Sequence, residues 1–247
     1  MTGQEQAPAS FVDADLRGAR FVRADLSGAV LRGVDVQGMD VDAPWLSEDG
    51  GSLLVNGVDV APLVEAELDR RFPGRSERRA TTPEGLRSAW DAVERTWTAT
   101  VARAEALPRG SVDVEVDGEW SFAQTLRHLV MATDTWLGRG VLGLSLQEAT
   151  HPLGVPNAEY ATDGHDTSVF ATRTPSWGEV LRARAERVAM VRDFLADLTP
   201  ERLNVPCRHP WDPATTVSTL HCLHVVLHEE WEHHRYAVRD LATLQPD

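Results

Sequence analysis

A five-residue recurrence near the N-terminus is the feature that most restricts how this chain can fold. From Ala9 to Ala43 a large apolar residue returns at every fifth position, and a smaller residue, most often alanine, stands two positions before it. The large residues are Phe11, Leu16, Phe21, Leu26, Leu31, Val36 and Val41. A helix repeats at about 3.6 residues and a strand at about 2, so neither element produces this pattern, whereas fixed short periods are typical of solenoids.

The recurrence resembles the pentapeptide-repeat family, whose consensus is A-(D/N)-L-x-x. Two segments, Ala14-Asp15-Leu16-Arg17-Gly18 and Ala24-Asp25-Leu26-Ser27-Gly28, match that consensus in full. The resemblance implies a short right-handed, four-sided β-helix over residues 9–43. Seven repeats make under two coils, fewer than the roughly three units that a solenoid needs for stability. We therefore expect a scaffold or cap packed against the next domain, with a recognition surface as the alternative.

Composition restricts the classes of partner. The chain has 247 residues, 24 of them basic and 38 acidic, which gives a net charge of −14. Nucleic acid and anionic membranes are therefore not expected as partners, because phosphate groups would be repelled. The first ten residues lack the features of a secretory signal, and no run of about 18 apolar residues occurs, so we expect a soluble, cytoplasmic protein. Cys207 and Cys222 are too few for a disulfide framework, and we expect both to be reduced.

Residues 44–81 are predicted to connect the repeats to a second domain. Asn56-Gly57 lies between two short apolar runs, which is typical of a β-hairpin. Apolar residues at helical spacing predict a short helix from Pro62 to Phe72. The arginine-rich segment 75–79 that follows is interpreted as a solvated linker.

Residues 82–244 predict a mainly α domain built as a four-helix bundle, because four long segments carry apolar stripes at helical spacing. The last of these helices is expected from about Thr216 to Leu244. Residues 112–116 alternate in polarity and predict a strand, and residues 145–173 are interpreted as a long loop that serves as a lid. Three helix starts are marked by capping signals, namely Thr82-Pro83-Glu84, Ser121 with Gln124, and Ser176 with Glu179.

The last predicted helix is unusually rich in side chains that bind metals. Its apolar face, which includes Leu223 and Leu227, continues through Glu230 and His234. A buried carboxylate or imidazole costs several kcal/mol, roughly, unless it is paired or coordinated, so a metal ion is a suitable partner for both. The remaining histidines of this helix are interpreted as a partly exposed polar face, with a surface metal site as the alternative; they are His221, His224 and His228.

His128 is the third candidate ligand, because it stands within the apolar run 126–132 of the second helix. A lone histidine there is usually a hydrogen-bonded core residue. Together with an inward Glu and His on another helix, it becomes a ligand for a site that leaves positions open to water or substrate. The predicted metal ligands are therefore His128, Glu230 and His234.

Two segments, 122–129 and 230–235, resemble the DinB-like (DinB/YfiT) superfamily of metal-dependent helical proteins. The resemblance implies a four-helix bundle over residues 82–244 that binds zinc or nickel. His128 is then the first ligand, and Glu230-x-x-x-His234 supplies the other two. A Glu at the first position of this pair resembles the mycothiol-dependent maleylpyruvate isomerase branch; the superfamily also includes bacillithiol S-transferases.

This resemblance implies an S-transferase or isomerase that activates a low-molecular-weight thiol, such as mycothiol, for attack on a small electrophile. Three residues flank the predicted ligands and are candidates for orienting them or for binding the thiol's carboxylate, namely Glu229, His233 and Arg235; an ordinary surface or salt-bridge role is the alternative for each. Trp136 and Trp231 are candidate pocket walls or packing residues. Two alternatives stay open, namely hydrolysis by metal-activated water and a non-catalytic module for metal or ligand binding or for stress-response interactions. The sequence does not establish that the protein is catalytic, and a homodimer is also possible from it.

Overall fold

The computed structural model of the protein describes residues 9–47, 50–212 and 214–245. The chain divides after Asp42 into two compact units, the second of which starts at Ala43. The mainly α fold class is confirmed, since long helices make up most of the second unit. None of the helices in the described residues has the length and apolar character needed to cross a membrane.

The first unit is a regular series of turns. A positive φ angle returns every five residues, at Asp13, Gly18, Arg23, Gly28, Gly33 and Gly38. Glycine adopts this left-handed conformation without a steric penalty, which explains why it stands at four of the six positions. At alternate turns an aspartate accepts a hydrogen bond from the backbone amide two residues later, as Asp25 does from Ser27. Only three or four residues separate successive turns, and the described part of this unit contains no regular strand.

The apolar residues of the repeats are exposed. Phe11 keeps 65% of its surface accessible, and even Leu16 keeps 46%. A long solenoid buries such residues between stacked coils, and a segment of under two coils has too few neighbours to do so. Little apolar burial therefore stabilises this unit.

The connector has the predicted hairpin and helix. Strands β1 (Leu54–Val55) and β2 (Val58–Asp59) pair antiparallel. Asn56 and Gly57 between them both have positive φ, as a two-residue hairpin turn requires. Helix α1 (Ala61–Arg71) follows.

The arginine-rich segment is not the solvated linker that we predicted. It forms a 3₁₀ turn, Arg75–Arg79, in which Arg75 and Arg78 are buried. Glu65 of α1 binds both guanidinium groups, at 3.0 Å from Arg75 and 2.6 Å from Arg78. Arg75 also contacts Asp69 and Glu232. The carboxylates allow the two arginines to be buried, because each charge has a partner of opposite sign.

Four long helices form the bundle, as predicted. They are α2 (Pro83–Glu105), α3 (Phe122–Thr133), α5 (Trp177–Ala196) and α7 (Thr219–Thr243). The capping boxes of α3 and α5 form at Ser121 and Ser176. Helix α3 packs against both α5 and α7, and one large core with a smaller cluster beside it fills the space between the helices. Among the buried residues of the large core are Leu86, Trp90, Leu126, Leu129, Leu223 and Leu227.

Shorter elements connect the long helices. Helix α3 continues as a π-helix, Asp134–Val141, and the long loop after it contains α4 (Leu146–Ala149). Beyond α5 come α6 (Pro200–Leu203) and a hairpin of β3 (Pro206–Arg208) and β4 (Thr216–Ser218).

The prediction of a strand over residues 112–116 is wrong. The structure has a 3₁₀ turn at Ser111–Asp113 instead. Gly110 accepts a hydrogen bond from the amide of Asp113, and Ser111 accepts one from Val114, so the backbone closes locally. An alternating pattern predicts a strand only where a neighbouring strand can pair with it.

We expect Glu65→Gln to destabilise the protein by about 2 kcal/mol at neutral pH, because two buried arginines lose a shared charged partner while Asp69 and Glu232 remain. Burial alone would raise the pKa of Glu65, but Arg75 and Arg78 outweigh it and lower that pKa to about 2, from an ordinary 4.5. The stabilisation is therefore complete above pH 4.5 and is lost as the pH falls towards 2. Urea unfolding of both proteins at a series of pH values measures the difference.

The matched control is Glu67→Gln, because Glu67 lies on the same helix and pairs only with exposed arginines. Exposed pairs contribute little, so this variant should unfold close to the wild type. The prediction is contradicted if the two substitutions lower the free energy of unfolding equally, or if the difference between Glu65→Gln and the wild type does not shrink in acid.

Candidate metal centre

Three metal-binding side chains from two helices converge in the bundle. They are His128 of α3 and Glu229 and His233 of α7, whose ligand atoms all lie within 4.8 Å of one another. The Nε2 atoms of His128 and His233 are 3.4 and 3.2 Å from the same Glu229 oxygen, Oε2. In the described residues no other group of three or more histidine, cysteine or acidic side chains is close enough to hold a metal ion.

Local sequence explains this convergence. Glu229 and His233 are four residues apart on α7, so they lie on the same face, one turn apart. His128 is fixed along α3 by the capping box at Ser121. Because α3 packs directly against α7, the imidazole of His128 meets both side chains.

The tautomer of His128 leaves one nitrogen for a metal ion. Its Nδ1 lies 3.0 Å from the carbonyl oxygen of Val155, and a carbonyl only accepts, so Nδ1 carries the proton. In the neutral ring Nε2 then presents a lone pair towards the Glu229 carboxylate. Two electron-rich atoms that face each other are stabilised by a cation between them, and a backbone hydrogen bond on the other ring nitrogen is typical of metal-binding histidines.

The electrostatics of the other two side chains also suit a metal ion. Burial would raise the pKa of Glu229, but the imidazoles of His128 and His233, whose Nε2 atoms approach its Oε2, outweigh burial and hold that pKa well below its usual range. Burial lowers the pKa of His233. At neutral pH the site therefore contains a carboxylate and a neutral imidazole, the forms in which both groups bind metals.

The site is partly open to solvent. Glu229 and His233 keep 18% and 15% of their side-chain surface accessible. The indole of Trp120 covers one side, with its ring centre 4.5 Å from that of His128 and 5.8 Å from that of His233. Part of the Glu229 and His233 surface beside this aromatic wall therefore stays accessible to solvent.

The structure does not bring Glu230 and His234 to His128, and the residues that lie there are their neighbours Glu229 and His233. Both are buried, as the apolar face predicted, but each has a partner elsewhere. Glu230 accepts a hydrogen bond from Arg184 of α5 at 2.5 Å, and His234 Nε2 is 2.8 Å from the hydroxyl of Thr100 on α2. An arginine and a threonine thus provide the polar partners that we had attributed to a metal.

The doubled residues of the segment explain why the predicted and the observed groupings differ. Glu229-Glu230 and His233-His234 both give a Glu-x-x-x-His spacing, so the motif fits the helix in two registers. Successive residues of a helix differ by about 100° in direction, which turns one pair towards α3 and the other towards α2 and α5. A sequence signal for the register seen in the structure was present in Arg184, a charged residue within an apolar stripe that requires a buried carboxylate.

Other predicted site residues lie away from the three ligands. Arg235 donates two hydrogen bonds to Glu232, so its guanidinium is engaged in a salt bridge. Trp231 packs edge-on against His234, and Trp136 packs against His209 and His221. Trp120, which we had not singled out, forms the wall instead.

Of the three other histidines of α7 that we predicted to form a partly exposed polar face, two are accessible and one is buried. His221 is exposed, and His224 lies 2.8 Å from the carbonyl oxygen of Ala80. His228, by contrast, is buried and stacks against Trp45, with ring centres 4.4 Å apart. An aromatic residue outside the bundle helices covers it, which helical spacing alone does not show.

A family model of the DinB superfamily matches residues 92–237, more than half of the chain. The chain belongs to the DinB superfamily. A pentapeptide-repeat model matches residues 9–42 with eight copies, so both resemblances are confirmed. Searches of curated proteins and of solved structures returned no match. Membership agrees with the donor set, since the superfamily is associated with metals.

The long loop of this DinB bundle is attached to the helix that carries His128. Arg127 donates to the carbonyl of Leu153 at 2.8 Å, and its own carbonyl accepts from the amide of Val155 at 3.2 Å. Val155 in turn accepts from the His128 ring. The loop therefore determines how the imidazole is oriented, although its motion as a lid stays a prediction.

A second attachment holds the start of the same loop. The buried Asp134 accepts from the amide of His151 at 2.7 Å and pairs with Arg187 of α5. Burial raises the pKa of Asp134 to about 6, although Arg187 and the His151 amide counteract it. One carboxylate thus connects the π-helix, the loop and α5.

We expect His128→Ala, Glu229→Ala and His233→Ala each to lose most of the bound metal, because each removes one of three protein ligands. The matched controls are Glu230→Gln and His234→Phe, which keep the size of the neighbouring Glu and His; the amide oxygen of the first can still accept a hydrogen bond from Arg184, and circular dichroism checks that both keep the fold. These should retain about one metal ion per chain. Metal content by plasma mass spectrometry checks this. Loss in the two controls with retention in Glu229→Ala and His233→Ala would instead support the register predicted from the sequence.

We expect Asp134→Leu to release the loop and to weaken metal binding by roughly ten-fold, because His128 then loses an oriented hydrogen-bond partner. Titration against a competing chelator measures the affinity, and deuterium exchange of residues 150–155 reports on the loop. The control is Asp163→Leu, an exposed position in the same loop. Faster exchange without weaker binding would show that the loop does not position His128.

Proposed function

We propose that this protein is a divalent-metal enzyme, with zinc or nickel held by His128, Glu229 and His233, which activates a low-molecular-weight thiol for S-transfer or isomerisation. The observation that carries the proposal is the convergence of two imidazoles and one carboxylate at a partly exposed point of the bundle. Three protein ligands with a position left for an outside molecule are typical of catalytic rather than structural zinc sites.

When bound, the metal would supply the positive charge that lowers the pKa of a thiol and holds the thiolate for attack on an electrophile. Glu229 contributes a single negative charge, and the two imidazoles contribute none in their neutral forms. A divalent ion in this donor set keeps a net positive charge, which favours an anionic thiolate over a neutral ligand. No nucleophile from the protein is required.

The side chains around the ligands fit this role. The Val155 carbonyl holds the His128 ring with Nε2 directed at the other ligands. Trp120 lies against both imidazoles and excludes water from that side. The Glu-x-x-x-His spacing of Glu229 and His233 keeps the feature that resembles the mycothiol-dependent branch, which favours mycothiol or a similar thiol.

Hydrolysis by metal-activated water uses the same three ligands and is the second enzymatic candidate. It is favoured by the partial exposure of Glu229 and His233, which water can reach as easily as a thiol. A non-catalytic metal or ligand binder is the remaining alternative.

The test is to prepare the protein with cobalt and to add mycothiol, bacillithiol, glutathione and cysteine in turn. We expect one of them to produce a sulfur-to-cobalt absorption band, and the same thiol to be consumed when an activated haloarene or unsaturated acid is added. His233→Ala should abolish both signals, and His234→Phe should keep both.

Each contrary result favours a different function. A band without turnover of any electrophile supports a binding module. Cleavage of activated esters in the absence of thiol supports a hydrolase. The proposal is overturned if none of the four compounds produces a band and none of them is consumed.

A further inference from the structure

The two cysteines of the chain lie side by side although the sequence separates them by fifteen residues. Cys207 belongs to β3 and Cys222 to the first turn of α7, and their Sγ atoms are 3.5 Å apart. Both are free thiols. A disulfide bond is about 2.05 Å long, so the sulfur atoms need to approach by only about 1.5 Å for the bond to form.

The local backbone keeps the two cysteines near each other. The β3–β4 hairpin leads directly into α7, so a short chain links the two cysteines. Behind Cys222 stands Gly140 of the π-helix, where an added side-chain carbon would lie 3.3 Å from the Cys222 sulfur. Glycine at that position leaves the space that the Cys222 thiol occupies.

The two thiols differ in accessibility. Cys207 is half-buried, whereas Cys222 has no accessible surface. Burial, followed by the neighbouring Cys207 thiol, raises the pKa of Cys222. An outside reagent therefore meets Cys207 first, and Cys222 is reached only from within the protein.

We propose that Cys207 and Cys222 form a reversible disulfide by exchange with a low-molecular-weight disulfide. In the first step the Cys207 thiolate attacks one sulfur of the small disulfide, forms a mixed disulfide and releases one small thiolate. In the second step Cys222 gives up its proton and attacks the Cys207 sulfur, which releases the second small thiol. In total the protein loses two protons and two electrons, equivalent to two hydrogen atoms, and the small disulfide gains them.

The bond joins the β3–β4 hairpin to α7, two turns before Glu229. It closes the loop between residues 207 and 222 and so restricts the unfolded chain, which should raise the melting temperature of the oxidised protein. This inference does not depend on the proposed function, because neither cysteine is among the proposed metal ligands.

The experiment treats the full-length native protein with oxidised glutathione and follows intact mass. We expect the wild type to lose two hydrogen atoms without gaining glutathione, to regain them with dithiothreitol, and to show a higher melting temperature while oxidised. Tenfold dilution of the protein should not change the fraction that reacts, because the bond is intramolecular.

Two matched variants separate the steps. Cys222→Ser should stop at the mixed disulfide and carry one glutathione on Cys207. Cys207→Ser should stay unmodified while folded and react only in denaturant, because Cys222 is buried. Circular dichroism confirms that each variant keeps its helices. If a variant does not fold, the result for the wild-type protein still tests the proposal.

Three results would overturn the proposal. They are a wild-type protein that keeps glutathione as a stable adduct, disulfide-linked dimers in place of the intramolecular bond, and a folded wild type that does not react although the denatured protein does.

Discussion

The buried ion pair between Arg184 and Glu230 determines the rotation of helix α7 in the bundle. Breaking such a pair leaves an uncompensated charge in the core at a cost of roughly 3–5 kcal/mol, so a rotation of α7 by one residue is strongly disfavoured. The contact between His234 and Thr100 holds the same face one turn later. With that face directed at α2 and α5, Glu229 and His233 are the residues that α7 presents to His128.

Backbone groups of the long loop complete what the helices begin. The Val155 carbonyl selects the tautomer of His128, and Arg127 and Asp134 hold the loop that carries this carbonyl. A loop of about thirty residues would otherwise sample many conformations, at a considerable cost in entropy when it is ordered. Its attachment to two buried or half-buried charged side chains, Asp134 and Arg127, explains how it provides a defined contact to the site.

Local signals predicted the helices well because they act within a few residues. Ser121 and Ser176 form the capping boxes that their spacing indicated, and Asn56-Gly57 forms the hairpin turn. Predictions failed where the outcome depends on distant residues. Residues 112–116 lack the partner strand that their alternation needs, and Arg75 and Arg78 are buried because Glu65, Asp69 and Glu232 meet them there.

The sequence by itself determined the repeat segment, the four helices, the DinB resemblance and His128 as the candidate ligand on the second helix. It also showed that a Glu-x-x-x-His pair stands on the last helix. It did not determine which pair, because Glu229-Glu230 and His233-His234 satisfy the same spacing in adjacent registers. Only the tertiary structure decided this, since the direction of a helical side chain depends on what the neighbouring helices place opposite it, here Arg184 and Thr100 on one side and His128 on the other.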